Sequence, residues 1–245
     1  MCKEINLTPE ILENFINSDE ELSPHKEYLN SITKPSVEIS FSNDQAKDYE
    51  SRFGGIPLVS KDFVWPTHKK GEYRFLGQIN FSEISSCPKL LPKSGLLSLF
   101  YANDEDGEIF WGEDGYVISY FYPDIDDLVL YKQATTNHIT QKIVLRNGVE
   151  IPRNEVLRKD WPFNTDALYD LPELEGFCED YMLGYPSFYT LGYDPTPGDE
   201  WISLLTLTSY DEFEWCWHDG DKLMIFIEKE KLKNADFSSL KTDAG

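Results

Sequence analysis

The stretch Ser51-Arg52-Phe53-Gly54-Gly55-Ile56-Pro57 organises this sequence, because a shorter echo of it, Leu183-Gly184-Tyr185-Pro186, recurs in the second half. Gly54 and Gly55 can adopt a positive φ or lie against another backbone, since neither carries a Cβ. Pro57 fixes its own φ and favours an extended Ile56. The stretch therefore predicts a sharp turn that leaves as a strand, and the echo predicts a second such turn.

A glycine-rich turn could also cradle a phosphate group, but that function requires a helix immediately after the turn. Pro57 and Pro66 argue against a helix there. The sequence also contains no P-loop, dinucleotide-binding fingerprint, G-x-S-x-G or H-E-x-x-H motif. We therefore interpret the turn as structural.

The composition indicates a well-packed, β-rich protein. Of the 245 residues, 40% are hydrophobic and 14% aromatic, which is enough for a core and favours sheet over helix. No stretch approaches the ~20 apolar residues of a membrane span. The start of the chain, residues 1–5, lacks the apolar core of a signal peptide. These observations predict a cytoplasmic protein that does not enter a membrane.

The charge and the cysteines exclude several kinds of partner. The net charge of −22 repels nucleic acid and anionic membranes but permits a basic protein partner. Many soluble proteins are also strongly acidic without having a basic partner. The cysteines show no C-x-x-C spacing, so we expect reduced thiols, no metal and no cofactor; they are Cys2, Cys87, Cys178 and Cys216.

The residue pattern predicts few helices and many short strands. Thr8 and Pro9 open an amphipathic helix over residues 8–17. Helical spacing predicts a second helix from Asp170 to Met182, and a short third helix over 228–232 precedes a frayed tail. Strands are predicted at Val37–Phe41, Tyr73–Phe81, Leu96–Tyr101, Tyr116–Tyr122, Leu128–Tyr131 and Ile139–Leu145, with a hairpin at Asn147-Gly148.

The second half resembles the first. Ser98–Tyr122 can be placed over Ser203–Ile227 without a gap, and several identities then fall at turn and strand positions. The sequence therefore predicts one β-rich α+β domain over residues 1–245. Two pseudo-repeated antiparallel meanders, at about 51–122 and 183–240, would share one core.

Motifs in order along the chain resemble the YwqG-like family of bacterial proteins of unassigned function. They are Ser51–Pro57, Trp65-Pro66, Phe75–Asn80, Pro92–Leu97, Phe100-Tyr101, Leu183–Pro186, Trp215–Gly220 and Asp236–Ser238. The resemblance covers the chain from about Val37 and implies no catalytic residue, because the family has none established. The chain departs from the family pattern at Leu183, at His218 and in its last residues.

Two constellations have both a functional and a structural interpretation. Cys216 and His218 could form a nucleophile pair, but neighbours on one strand face rarely reach the required geometry. Acidic turns near Asp104–Asp106 and Asp211 could hold a cation, but they lack the spacing of a calcium loop. Gln78 is either a ligand contact or a buried amide bonded to backbone. We predict no catalytic residue and no metal site.

Aromatic and polar residues from both halves could line a groove between the repeats. The residues of this predicted groove are Trp65, Gln78, Trp111, Asp114, Trp215, His218 and Asp219. The residues expected to serve as structural turns are Gly54, Gly55, Pro57, Gly115, Gly184, Pro186 and Gly220. The first functional hypothesis is a non-enzymatic protein-interaction module that neutralises a basic partner, in the manner of an immunity protein. The alternative is a small-molecule binder or an enzyme that uses the groove.

Overall fold

The computed structural model describes residues 7–103, 107–131, 139–158, 161–163 and 178–245. In this part of the chain, ten strands form one antiparallel sheet and two very short strands pair separately. The helices are α1 (Pro9–Ser18), α2 (Lys26–Ile32) and α3 (Lys229–Lys233). The strands are β1 (Lys34–Phe41), β2 (Arg52–Gly54), β3 (Leu58–Val59), β4 (Glu72–Asn80), β5 (Leu96–Asn103), β6 (Val117–Tyr122), β7 (Val129–Leu130), β8 (Thr140–Glu150), β9 (Asp180–Leu183), β10 (Trp201–Thr208), β11 (Lys222–Glu228) and β12 (Leu240–Ala244).

Helix α1 begins where the sequence predicts it. The Thr8 hydroxyl accepts a hydrogen bond from the Ile11 amide at 3.2 Å, which satisfies one of the free N–H groups of the first turn. Leu12 and Ile16 are buried on its apolar face and pack in a small cluster with Val149 at the end of β8. The helix therefore covers one end of the central strands.

The sheet has the order β12-β11-β10-β9-β1-β8-β2-β4-β5-β6. Strands β1 and β8 form a central pair along their whole length, from Lys34 opposite Glu150 to Phe41 opposite Ile143. We call β2, β4, β5 and β6 the first half, and β9, β10, β11 and β12 the second half. Each half extends outward from the central pair, and the main apolar cluster draws on both.

The two outermost strands, β6 and β12, come into contact, so the sheet is nearly closed. Side chains bridge this seam in both directions. The Ser119 hydroxyl donates to the Phe237 carbonyl oxygen, and the Thr242 hydroxyl donates to the Trp111 carbonyl oxygen, each at 2.5 Å. The seam therefore joins the halves by side-chain bonds where the rest of the sheet uses strand ladders.

The gapless superposition predicted from the sequence does not match the sheet. It places β5 on β10, but β5 is the third strand outward from β8 and β10 is the second outward from β1. The strand at the place of β10 is β4, and both strands carry a bulge. The register of β4 shifts between Phe75 and Gly77, and that of β10 between Ser203 and Leu205. The predicted superposition therefore pairs strands that hold different places in the sheet, and the duplication itself stays a prediction.

The predicted hairpin at Asn147-Gly148 is wrong, because β8 runs without interruption through both residues. Gly148 lies opposite Ser36 on β1. A Cβ at Gly148 would lie 2.7 Å from Oε1 of Glu38, a contact that real Cβ atoms do not make. The glycine therefore makes room for a buried carboxylate and does not turn the chain.

The predicted helix over 170–182 is wrong at its C-terminal end. Residues 164–177 lie outside the described part of the chain, but Asp180–Leu183 forms β9 between β1 and β10. All its residues are buried, Met182 among the main apolar cluster. A strand covered on both faces has no alternating pattern, so its apolar run can be mistaken for part of a helix.

The C-terminal tail is ordered, contrary to the prediction of a frayed end. Leu240–Ala244 forms β12, which pairs with β11 from Leu240 opposite Ile227 to Ala244 opposite Leu223. Lys241 and Asp243 weaken the strand signal in the sequence, but they lie on the more exposed side of an edge strand. The predicted acidic turn at 104–106 lies outside the described residues.

Candidate functional site

The two glycine turns share one backbone conformation. The φ values are +63° at Gly54, +76° at Gly55, +63° at Leu183 and +71° at Gly184. A proline follows in each turn, at Pro57 and at Pro186. Because Leu183 carries a side chain in the left-handed region, the second turn holds backbone strain that glycine avoids in the first.

A side chain on the preceding strand ties each turn in the same way. In the first half, Nη2 of Arg52 donates to the carbonyl oxygen of Ile56 at 2.5 Å. In the second half, the Tyr181 hydroxyl donates to the carbonyl oxygen of Tyr185 at 2.9 Å. Each donor stands four residues before its acceptor. The two turns therefore have a common architecture, held by a cation in one half and by a phenol in the other.

Gln78 on β4 is a fully buried amide. Its Nε2 donates to the carbonyl oxygens of Asp48 and Glu50 at 2.8 and 2.9 Å, and its Oε1 accepts from the Leu58 amide at 3.3 Å. Of the two interpretations that the sequence left open, the geometry is that of an amide bonded to backbone. Gln78 supports the loop before the first turn and the strand after it.

Trp111 and His218 are brought together from the two halves. Their rings lie 5.4 Å apart, edge to face. Nδ1 of His218 lies 3.1 Å from Oδ2 of Asp221 and 3.1 Å from the Thr190 hydroxyl. The imidazole is therefore held by a carboxylate and a hydroxyl, while Cys216 is exposed on the same turn.

The structure distributes the remaining residues of the predicted groove over separate places. Trp215 is buried and stacks on Phe213 with ring centroids 4.5 Å apart. Trp65 packs against Phe100 at 5.3 Å. Asp114 lines a cavity of about 270 Å³ at the seam. Asp219 is an exposed turn residue with φ +61°. Gly115 and Gly220 have φ values of +85° and +101°.

Two ion pairs, each with a buried member, lie at the end of β8 and at the start of β11. Nε and Nη2 of Arg153 donate to the two carboxylate oxygens of the fully buried Glu150 at 2.9 and 2.7 Å. Lys222, also buried, is paired with Glu179. Burial is the main cause of the raised pKa of Glu150, and Arg153 opposes that effect. Each of these two buried cations thus has a carboxylate partner.

Two further carboxylates are buried beside this network. Burial raises the pKa of Glu38 to about 8, although the hydrogen bond from the Leu7 amide at 2.9 Å favours the ionised form. Burial raises the pKa of Asp180 to about 6, and its hydrogen bond from Tyr210 at 2.6 Å opposes the shift. These groups face protein and serve the fold, so their shifts do not by themselves indicate catalysis.

A cavity of about 510 Å³ opens beside the second turn. Nζ of Lys34 lies 3.6 Å from the ring centre of Tyr185, and both residues line this cavity. Ser203 also lines it and is 3% exposed, and its hydroxyl has no hydrogen-bond partner among the described residues. The other lining residues include Tyr28, Trp161, Trp201, Asp194 and Asp199. We call this the large cavity.

Sequence reasoning missed Lys34 and Ser203. Lys34 stands at the start of β1, which brings it to the second turn only through the pairing of β1 with β9. Ser203 lies at the bulge of β10. The one available signal was the repeated Gly-x-Pro turn, which marks where the chain changes direction and where a cavity can form.

Within the described residues, no group of three or more His, Cys, Asp or Glu side chains could hold a metal ion. In the same part of the chain, none of the helices has the length and apolar character needed to cross a membrane.

The fold and its cavities define a β-rich α+β protein with a nearly closed sheet. The model of a family described as a domain of unknown function, DUF1963, matches residues 51–243, and the chain belongs to that family. The match begins at the first glycine turn and ends within β12. No match to the chain is found among the curated proteins.

Proposed function

We propose that this protein is a non-enzymatic binding module and that the large cavity holds a small-molecule ligand. The observation that carries the proposal is the cavity itself, whose volume of about 510 Å³ lies within the range of small-molecule sites. The unpartnered hydroxyl of Ser203 adds support, because a buried polar group without a partner is costly and a ligand would supply one.

The lining favours a particular chemistry. Tyr28, Trp161 and Trp201 offer flat apolar surface. Lys34 offers a positive charge, while Asp194 and Asp199 offer negative charge. A small molecule with an apolar, flat body and polar groups at its ends fits these walls.

The test is a thermal-shift screen of metabolite pools, because a ligand that binds only the folded state raises the melting temperature by mass action. For each hit, Ser203→Ala should weaken binding without lowering the melting temperature of the free protein, since the hydroxyl has no hydrogen-bond partner among the described residues. Lys34→Met should weaken binding as well. Lys61→Met removes the same charge at an exposed lysine outside the cavity and should leave binding unchanged.

Hits whose affinity is the same in all three variants would place the ligand elsewhere and contradict the proposal. A broad panel without any hit would also count against it.

A basic protein partner is the second candidate, as a neutraliser of the immunity type. It is favoured by the net charge of −22 together with aromatic side chains that stand exposed among the acids; Phe110, Tyr189 and Tyr193 are 53%, 60% and 53% exposed. Capture from lysate should then weaken steeply as salt is raised. A partner indifferent to ionic strength would contradict this candidate.

We also propose that the two halves descend from a tandem duplication. The strands that correspond are those at the same distance from the central pair, such as β4 and β10. The common turn conformation, the matching side-chain ties and the bulges on β4 and β10 support it. We further propose, from the sequence motifs, that the protein is a bacterial and cytoplasmic member of the YwqG-like family. Circularly permuted or split chains test the duplication: two separately expressed halves that reassemble would support duplication, and halves that never associate would oppose it.

A further inference from the structure

Another cavity, of about 360 Å³, lies beside the first glycine turn. We call it the small cavity. Its walls come from the loop before β2, from β2 and the turn that follows it, from the end of β7 and from the start of β8. The lining residues are Gln45, Ala46, Asp48, Arg52, Ile56, Leu130 and Thr140.

Arg52 is a basic residue that lines this cavity, and it is 3% exposed. Its guanidinium donates to the carbonyl oxygens of Asp48 and Ile56, each at 2.5 Å, with longer contacts of 3.4 Å to those of Lys47 and Glu50. A guanidinium has five N–H donors. Nη1 can use its two hydrogens on these carbonyls and Nη2 one, which leaves the Nε hydrogen and one Nη2 hydrogen without an acceptor among the described residues.

No carboxylate lies within ion-pair distance of Arg52 in the described part of the chain. Asp48 lines the same cavity, but it contributes its backbone carbonyl and its side chain is exposed. The neighbouring segment 132–138, outside the described residues, contains no acidic residue in its sequence. Buried charges in proteins are usually paired, as Arg153 and Lys222 are in the second half. Among the described residues, Arg52 is therefore a buried cation without an ion-paired carboxylate, and the exposed Asp48 attracts it only from a distance.

We propose that the small cavity binds an oxyanion, a carboxylate or phosphate group carried by a small molecule, with Arg52 as its charge partner. Arginine presents its N–H donors in a planar fork that matches the oxygens of both groups. Burial lowers the pKa of Arg52 to about 10, and the negative charge of Asp48 opposes this shift without cancelling it. This site is separate from the large cavity and does not depend on the proposal made for it.

The experiment uses inorganic phosphate and acetate as probes, titrated separately at constant ionic strength. Binding is followed by the NMR signals of the Arg52 Nε–H and of the Ile56 and Thr140 amides. We expect saturable shifts of these signals with at least one probe. Saturation by phosphate alone would indicate a phosphate-bearing ligand, and saturation by acetate a carboxylate.

Gln45→Glu is the informative variant. It is nearly isosteric, it changes an exposed residue and so preserves the fold, and it places a carboxylate on the wall of the small cavity. It should weaken anion binding by about tenfold or more, because the new charge repels the anion and competes for Arg52. Asn43→Asp adds the same charge on the same loop outside the lining and should leave the affinity within about twofold.

Arg52→Lys keeps the charge but loses the fork, so it should retain weakened binding. If neither probe gives saturable shifts in the natural protein, or if Gln45→Glu and Asn43→Asp bind alike, Arg52 is a structural tie of the turn and the proposal is wrong. The failure of the large-cavity proposal would show in the Lys34 and Ser203 variants and would leave these titrations unaffected.

Discussion

The two halves build the same turn and surround it with different charges. Arg52 and Tyr181 occupy matching places, each on the strand beside the central pair and each bonded to the carbonyl four residues later. Around Tyr181, the cation Arg153 is neutralised by Glu150. Around Arg52, the described chain supplies carbonyl oxygens as hydrogen-bond acceptors, and the nearby carboxylate of Asp48 forms no ion pair with it. The two turns thus share a backbone conformation and differ in their electrostatics, so a shared turn does not imply a shared function.

The central strands beside Arg52 and Tyr181 also differ in charge. Arg52 lies opposite Lys142 on β8, and Tyr181 lies opposite Glu38 on β1. Lys142 is partly exposed and pairs with Glu50 at 3.0 Å. Glu38 is buried and accepts a bond from a backbone amide. The central strand beside Arg52 therefore carries a partly exposed ion pair, and the central strand beside Tyr181 carries a buried carboxyl group.

The largest effect should come from breaking the paired cation of the second half. Arg153→Met leaves Glu150 buried and unpaired, which should lower the free energy of unfolding by about 3–5 kcal/mol. Arg52→Met leaves only carbonyls, near a cavity open to water, and should cost about 2 kcal/mol or less. Urea unfolding of both variants measures the difference.

The double variant Glu150→Gln with Arg153→Met is the control for that comparison. Removing both charges should restore part of the loss, because no buried charge is left. Equal costs for Arg153→Met and Arg52→Met would contradict the contrast between the halves.

The second-largest effect is expected at Glu38, which should make the stability of the fold depend on pH. Its pKa is about 8 when folded, against an ordinary value of 4.5, so the unfolded chain loses this proton first as pH rises. The group therefore destabilises the fold progressively from about pH 4.5 to about pH 8. Glu38→Gln removes the titration, so its stability relative to the natural protein should increase by up to about 4 kcal/mol between pH 5 and pH 9.

The control for this prediction is Glu27→Gln, at an exposed position on α2. Its stability difference from the natural protein should stay nearly constant over the same range, measured by urea unfolding at each pH. A Glu38→Gln variant with an equally flat difference would show that the carboxylate ionises freely in the folded protein.

The third prediction separates the cost of a steric clash at a glycine from the cost of its positive φ. A Cβ at Gly54 would lie 2.2 Å from the carbonyl oxygen of Ile139, a backbone atom that cannot move aside. Gly220 also has a positive φ, but a Cβ there meets nothing within 4 Å. Gly54→Ala should therefore cost about 2–3 kcal/mol in chemical denaturation and Gly220→Ala about 1 kcal/mol. Similar costs would mean that the first turn relaxes as freely as an open loop.

The sequence predicted the elements whose signals are local. Thr8 and Pro9 mark the start of α1, and the alternating residues of Tyr73–Phe81 mark β4. Gly54 and Gly184 mark the two turns. In each case, the chemistry that determines the conformation lies within a few residues.

What the sequence could not predict depends on contacts between distant segments. Gly148 suggests a turn until Glu38 is known to lie beside it. Met182 suggests a helix until β9 is seen to be covered on both faces. The cavities likewise require the sheet order, because Lys34 and Ser203 come from strands far apart in the chain. Each error came from a local preference that tertiary packing overrides.

The smallest effect is expected at the seam, where the two halves are most alike. Ser119 and Thr242 stand on β6 and β12, and each donates to a carbonyl that precedes the opposite strand. Ser119→Ala and Thr242→Val each remove one hydrogen bond and should each cost about 1 kcal/mol. Hydrogen exchange of the β6 and β12 amides measures local opening of the seam, and Ser238→Ala, at an exposed hydroxyl nearby, is the control. Because both bonds cross the contact between β6 and β12, faster exchange should appear on both strands with either variant. If only one variant affects both strands, the seam depends on one half and the likeness ends at the turns.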